Sequence, residues 1–303
     1  MAFKLPILCG LIVSSASLLG QSVAHSTGMV HTEQADIGYE TFGVRGSTLP
    51  VIAINGGPGL SHAYMLQNDV WQRIAENHLV VFYDQRGTGR SKQMKRDAPQ
   101  SMDAQVADLE AVRNELHLDR AAMVGDSYGG MLAMAYAAAH PEHVAKLVLS
   151  DSPSPSWKEM VHLLPQVFPD LEEQDVAEEK KLGEGTDAAA QAGLRNHFRM
   201  IFYSPAKRDA YLKHIGELGY EPAIGEAVSK ATAELDLTAK LAEFRFPTLV
   251  ITGRYDMNVA PLTAWRLAHA IPGARIEFFE QSGHLPSYEE PDKYVAVLKS
   301  FLD

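Results

Sequence analysis

Short apolar runs alternate with helical segments along most of this chain, and that alternation is what most limits its fold. Asp36–Phe42, Leu49–Asn55, His78–Asp84, Ala121–Gly125, Lys146–Ser150, Pro247–Gly253 and Ala274–Glu280 read as strands. The later ones are near-continuous apolar runs, as expected of parallel strands covered on both faces. Helical patterns fill the gaps at Ser101–Leu116, Gly129–His140, Leu262–Ala270 and Pro291–Leu302, with Pro261 and Pro291 placed for a first turn. Strand–helix alternation of this kind predicts an α/β fold, a doubly wound and mostly parallel sheet.

One stretch breaks the rhythm. Residues 153–244 carry no strand signal, only polar helical pattern rich in Ala, Glu and Lys, entered through the rigid Ser152-Pro153-Ser154-Pro155-Ser156. The expectation is a helical cap inserted into a core made of residues 25–152 and 245–303.

The N-terminus reads differently from the rest. Lys4 is the single charged side chain among residues 1–24, Leu5–Gly20 is apolar and Ser-interrupted, and Ser22-Val23-Ala24 offers a small-x-small cleavage site. These features predict a cleavable secretory signal over residues 1–24 and a secreted or periplasmic mature chain starting at His25. After cleavage, no membrane association is expected. Cys9 is the one cysteine, so the mature chain would have no disulfide and no thiol nucleophile. The balance of 27 Lys+Arg against 38 Asp+Glu gives a formal charge of −11 without a basic block, which argues against nucleic acid as a partner.

Chemistry concentrates where strands end. Gly125-Asp126-Ser127-Tyr128-Gly129 fits Gly-x-Ser-x-Gly, with a strand running in and a helix running out. Glycines on either side of a sharp strand–serine–helix turn avoid clashes, and the helix N-terminus favours negative charge at the serine oxygen. Ser127 is the candidate nucleophile. Asp126 beside it is expected to point elsewhere in a structural role.

A serine needs a base. His284 follows the Ala274–Glu280 strand and Asp256 follows the Pro247–Gly253 strand, so both fall at the strand ends from which Ser127 emerges. His284 would take the serine proton and Asp256 would orient the imidazole. Asp151, closing the Lys146–Ser150 strand, is the rival acid. The oxyanion donors fall to the amides of Tyr128 and of Gly57, in Asn55-Gly56-Gly57-Pro58-Gly59, because Pro58 has no N–H. That loop lacks the spacing of a phosphate-binding glycine loop.

With these residues in view, the chain resembles the proline iminopeptidase family of α/β-hydrolases. The likeness is carried by Asn55-Gly56-Gly57-Pro58-Gly59, Asp84-Gln85-Arg86-Gly87-Thr88-Gly89-Arg90-Ser91, Gly125-Asp126-Ser127-Tyr128-Gly129-Gly130 and Gly253-Arg254-Tyr255-Asp256. It runs from about Gly38 to the C-terminus and is weakest in the cap. The resemblance implies an eight-stranded sheet, a helical cap, a Ser-Asp-His triad and no metal or other cofactor. It gives Arg86 and Arg90 a bracing role and implies cap glutamates that hold the substrate's free amine, for which Glu221 and then Glu217 are the candidates. Asn55 stands where the family has histidine, and Met257 where some members carry glutamate.

The expected activity is a serine hydrolase releasing N-terminal proline or small apolar residues from short peptides or amino-acid amides through an acyl-enzyme. The alternatives are an esterase or lactonase on small acyl compounds, and a non-catalytic binding protein on the same fold. Epoxide hydrolase and dehalogenase chemistry would need Asp at position 127.

Overall fold

The structure is a computed structural model and describes residues 23–303. All but the last two residues of the N-terminal segment read as a signal therefore lie outside the described residues.

Eight strands form one sheet: β1 (His25–His31), β2 (Asp36–Phe42), β3 (Val51–Ile54), β4 (Val80–Tyr83), β5 (Ala121–Asp126), β6 (Val144–Ser150), β7 (Thr248–Gly253) and β8 (Arg275–Phe279). Their spatial order is β1-β2-β4-β3-β5-β6-β7-β8. β1 and β2 pair antiparallel, as do β2 and β4, and every later pair is parallel. The seven strands read from the sequence are all present, and β1 is the addition. It is an edge strand with mostly exposed residues, so it lacks the apolar run that marks the central strands.

Helices cover both faces. Alternate β3 residues divide between two cores, Ile52 and Ile54 on one side, Val51 and Ala53 on the other. The first core takes Leu109 and Val112 of α2 (Met102–Glu115 when counted after α1, Val70–Ala75), Leu132 and Tyr136 of α3 (Tyr128–Ala139), and Leu267. The second takes Trp71 and Ile74 of α1 together with Tyr294 and Leu298 near the C-terminus. Each of these large side chains contributes about 1.5–3 kcal/mol by leaving water.

Between β6 and β7 lie six helices: α4 (Leu164–Val167), α5 (Pro169–Leu182), α6 (Asp187–Met200), α7 (Pro205–Tyr211), α8 (Pro222–Thr232) and α9 (Thr238–Leu241). The segment's β content is one isolated bridge, Ser156 to Asp236. It docks on the core through backbone contacts: the Glu221 N–H donates to the Gly59 carbonyl at 2.8 Å and the Ser61 hydroxyl to that of Leu218 at 2.8 Å. The chain closes with α10 (Pro261–Ala270), α11 (Pro286–Glu289) and α12 (Pro291–Leu302), each with proline in its first turn.

The Asp84–Ser91 block supplies buried bracing. Arg86 forks onto Asp108, Nε to Oδ2 at 2.6 Å and Nη2 to Oδ1 at 2.7 Å, and also donates to the Pro99 and Ala104 carbonyls. Arg90 differs from expectation: its side chain is exposed, and its contribution is a backbone N–H donated to Asp84 at 2.7 Å. Asp84 also accepts from the backbone and ring of His62, whose other nitrogen faces Glu40 at 2.8 Å. Burial alone would lower the His62 imidazole, but its hydrogen bonds and charge pairing with Asp84 and Glu40 raise it to about 9.

Candidate active site

β5 hands the chain to α3 through Ser127, which holds φ 49° and ψ −127°. That left-handed value is unusual for a residue with a side chain. The turn is crowded enough to require glycine: a Cβ on Gly129 would lie 2.1 Å from the Ile54 carbonyl oxygen, and one on Gly130 only 1.8 Å from the Ser152 hydroxyl. α3 can therefore lie against the sheet with Ser127 at its N-terminus.

β7 and β8 deliver the other two groups. Ser127 Oγ lies 2.9 Å from His284 Nε2, and His284 Nδ1 lies 2.7 Å from Asp256 Oδ2. Asp256 is fully buried, and its Oδ1 accepts the backbone N–H groups of Asn258 and Val259, each at 2.9 Å. With Nδ1–H directed at Asp256, Nε2 is free to accept from the serine. Burial by itself would push the imidazole down, but the charge and hydrogen bond of Asp256, with the charge of Asp126, lift it above its ordinary value. Asn258 Nδ2 also approaches Nε2, at 3.2 Å.

The rival acid stands nearby with a different job. Asp151 Oδ1 accepts the Gly253 N–H at 2.9 Å, pinning the end of β7. Burial, and then the neighbouring Asp256 charge, drive its carboxyl well above the usual range. Two buried carboxyls this close do not ionise together. The structure gives His284 to Asp256.

The Asn55–Leu60 loop is fixed from several sides. Asn55 Nδ2 donates to the Gly56 and Leu60 carbonyls at 3.0 and 2.8 Å, and Gln85 Nε2 donates to the Asn55 carbonyl at 2.7 Å. The Gly56 N–H donates to the Tyr64 hydroxyl at 2.6 Å, and that hydroxyl donates onward to Asp126. Gly56 passes so close to the serine that a Cβ there would lie 2.8 Å from that of Ser127. Gly57, with φ +125°, and Tyr128 line the same cavity as Ser127 and His284.

That cavity measures about 710 Å³ and lies between the strand ends and the cap helices. Its cap wall carries Asp175 and Glu179 of α5, Asp187 of α6 and Glu226 of α8, while among the described residues no lysine or arginine lines it. His197 of α6 also faces it; burial, and then the charges of His284 and His162, lower that imidazole to about 3, so it is neutral.

The structure sets the two cap glutamates read from the sequence, Glu221 and Glu217, away from the cavity. The Glu221 carboxylate pairs with Lys92 at 2.5 Å, and exposed Glu217 faces His214 at 3.4 Å. Tyr220 and Pro222 do line it, so the segment is near the site while the Glu221 side chain turns away. Asp126, expected in a structural role, is buried and bonded by the Tyr64 hydroxyl, and it also borders the cavity. The i, i+4 spacing of Asp175 and Glu179 signals a shared helix face, but Tyr64 and Asn258 carry no comparable sequence signal.

A family model described as the alpha/beta hydrolase fold matches residues 50–291. A proline iminopeptidase of Saccharolobus solfataricus is 30% identical over 302 residues, covering 95% of each chain. One from Lactobacillus delbrueckii subsp. bulgaricus is 32% identical, covering 84% of this chain and 89% of the relative. Among solved structures, an esterase from a Rhodococcus species superposes with a TM-score of 0.74 at 22% identity, covering 93% of this chain and 98% of its own. An alpha/beta fold family hydrolase from Bacillus anthracis gives 0.74 and 22%, covering 91% and 99%. The chain belongs to the α/β-hydrolase fold family, and its curated relatives place it with the proline iminopeptidases.

Proposed function

We propose that this protein is a serine aminopeptidase, or amino-acid amidase, that releases N-terminal proline or small apolar residues. The observation that carries this reading is the unbroken relay from Ser127 through His284 to Asp256, opening into a cavity with acidic walls and, among the described residues, no lysine or arginine lining. Such walls suit a substrate that brings a cationic amine. The relatives named proline iminopeptidase support the same substrate class.

The steps follow from the geometry. His284 Nε2 takes the Ser127 proton as Oγ attacks the scissile carbonyl, while Asp256 holds the tautomer and stabilises the imidazolium. The Tyr128 N–H, at the first helical position and without an intrahelical acceptor, and the Gly57 N–H receive the oxyanion. His284 then protonates the leaving amine, and water repeats the sequence to release the acid.

A panel of proline amide, other aminoacyl amides, their N-acetylated forms and simple esters tests this. Preference for free amines is expected; equal cleavage of blocked and free substrates would favour an esterase. We also propose export, on residues 1–24 alone. Mass spectrometry of protein from its native host should find a chain starting near His25. No helix among the described residues is long and apolar enough to cross a membrane.

A further inference from the structure

We propose that the Asp126 carboxylate receives the substrate's free amine. This rests on the aminopeptidase reading and identifies the group that enforces it. The argument starts from covalent geometry. In an aminoacyl substrate the amine nitrogen is two bonds from the scissile carbon, a separation of ~2.5 Å. A counter-charge close to the nucleophile can therefore reach it, and Asp126, the residue before Ser127, borders the same cavity as the serine.

Its partners leave it poised for a cation. Asp126 is 3% exposed, and the cavity it borders is also lined by Ser127 and Tyr64. Oδ2 takes the Tyr64 hydroxyl, while Oδ1 accepts no hydrogen bond among the described residues. A buried carboxylate held by one hydroxyl is poorly compensated for its lost hydration. The consequence is visible in its acidity. Burial raises the carboxyl to about 6, with the Asp256 charge adding to it and the Tyr64 hydrogen bond and His284 opposing it. An ammonium group at Oδ1 would supply the missing charge.

The cap acids are less suited to this contact. Glu179, Asp187 and Glu226 are exposed, and half-buried Asp175 is already bonded by Asn196 Nδ2 at 2.9 Å. Their place at the cavity wall fits attraction of a cation toward the site. Tyr64 ties the amine contact to the chemistry, because the hydroxyl that pins Asp126 also holds the Gly56 N–H. An amine seated on Asp126 is thereby registered against the loop that carries Gly57.

The test compares Asp126→Asn with the wild type on three probes: proline p-nitroanilide, its N-acetyl derivative and p-nitrophenyl acetate. The readout is the ratio of kcat/KM for the free-amine anilide to that for the ester, which is insensitive to the fraction of protein folded. Loss of a charge-assisted hydrogen bond should lower that ratio about tenfold to a hundredfold, mainly through KM. Asp126→Ser, also uncharged but smaller, should lower it as well, and serves where Asn disturbs the Tyr64 contact. An unchanged ratio in both variants, or parallel loss on all probes, would overturn the assignment while leaving the aminopeptidase reading intact. A wild type indifferent to N-acetylation would instead overturn that reading, and this proposal with it.

Discussion

The Glu289 carboxylate accepts the Gly283 N–H at 2.6 Å, one residue before His284. The same carboxylate accepts the N–H groups of Tyr203 and Ser204, at 3.1 and 2.8 Å, from the link between α6 and α7. The His284 N–H itself donates to the Ile201 carbonyl at 2.8 Å. The histidine loop and the cap are thus clamped together by one fully buried acid. The two backbones approach closely: a Cβ on Gly283 would lie 2.2 Å from the Ile201 carbonyl oxygen.

Glu289→Ala should therefore damage both stability and catalysis. It strands three backbone donors, and each buried unsatisfied group costs about 1–3 kcal/mol. Thermal unfolding should move down by several degrees. At temperatures where the variant is folded, kcat should fall with KM changed less, because His284 loses its fixed position. A variant with lowered Tm and full kcat would limit Glu289 to a structural role.

Ser127→Ala should remove turnover and leave the fold unchanged. The Ser127 N–H keeps its bond to the Ser150 carbonyl at 2.9 Å whatever the side chain. Loss of a triad serine costs on the order of 10⁶ in kcat. Hydrolysis by the variant at anything near the wild-type rate would remove Ser127 from the mechanism.

The sequence displays the sheet well because its central strands are covered on both sides. All residues of β3, β4, β5 and β7 are buried, and each strand is accordingly a near-continuous apolar run. β1 escaped because an exposed edge needs no such run. The triad was legible because strand ends in a parallel sheet share one edge, which makes position along the chain a guide to position in space. The cap obeys no such rule. Glu221 sits in the right segment, yet as the residue before α8 it turns to Lys92, whereas Glu226 one turn on reaches the cavity wall. Nothing in a linear pattern separates those two directions. Tyr64 is harder still, since its role depends on a hydroxyl meeting Asp126 across 62 positions of chain.

Arg86→Ala tests the brace beneath the site. It leaves Asp108 buried without its guanidinium, and breaking such a pair from one side costs about 3–5 kcal/mol. Burial already holds the Asp108 carboxyl above its ordinary value despite the Arg86 hydrogen bonds and charge. The variant should unfold at clearly lower temperature and denaturant concentration. Arg90→Ala, which removes an exposed side chain and keeps the backbone N–H to Asp84, should change stability little. Equal losses from the two substitutions would contradict this division of roles.

The last prediction separates the two candidate acids by magnitude and by pH. Asp256→Asn should cost about 10⁴ in kcat, because an amide cannot hold the Nδ1–H tautomer that leaves Nε2 free. Asp151→Asn should leave kcat near wild type. Burial and then the Asp256 charge push the Asp151 carboxyl well up, and asparagine preserves an acceptor for the Gly253 N–H. The pH profile carries the independent check. His284 acts as a base only when neutral, so kcat/KM for an uncharged ester should rise as pH passes its pKa. In the wild type burial is outweighed by the Asp256 charge and hydrogen bond, which raise that pKa, so the rising limb should sit above the pH at which an ordinary imidazole titrates. Removing the Asp256 charge leaves burial, the largest influence and one that favours neutral imidazole, opposed by the weaker Asp126 charge, so in Asp256→Asn the limb should move to lower pH as the maximum rate collapses. In Asp151→Asn the limb should stay where it is. If Asp151→Asn instead shifted the limb and lost activity while Asp256→Asn did neither, His284 would take its orientation from Asp151.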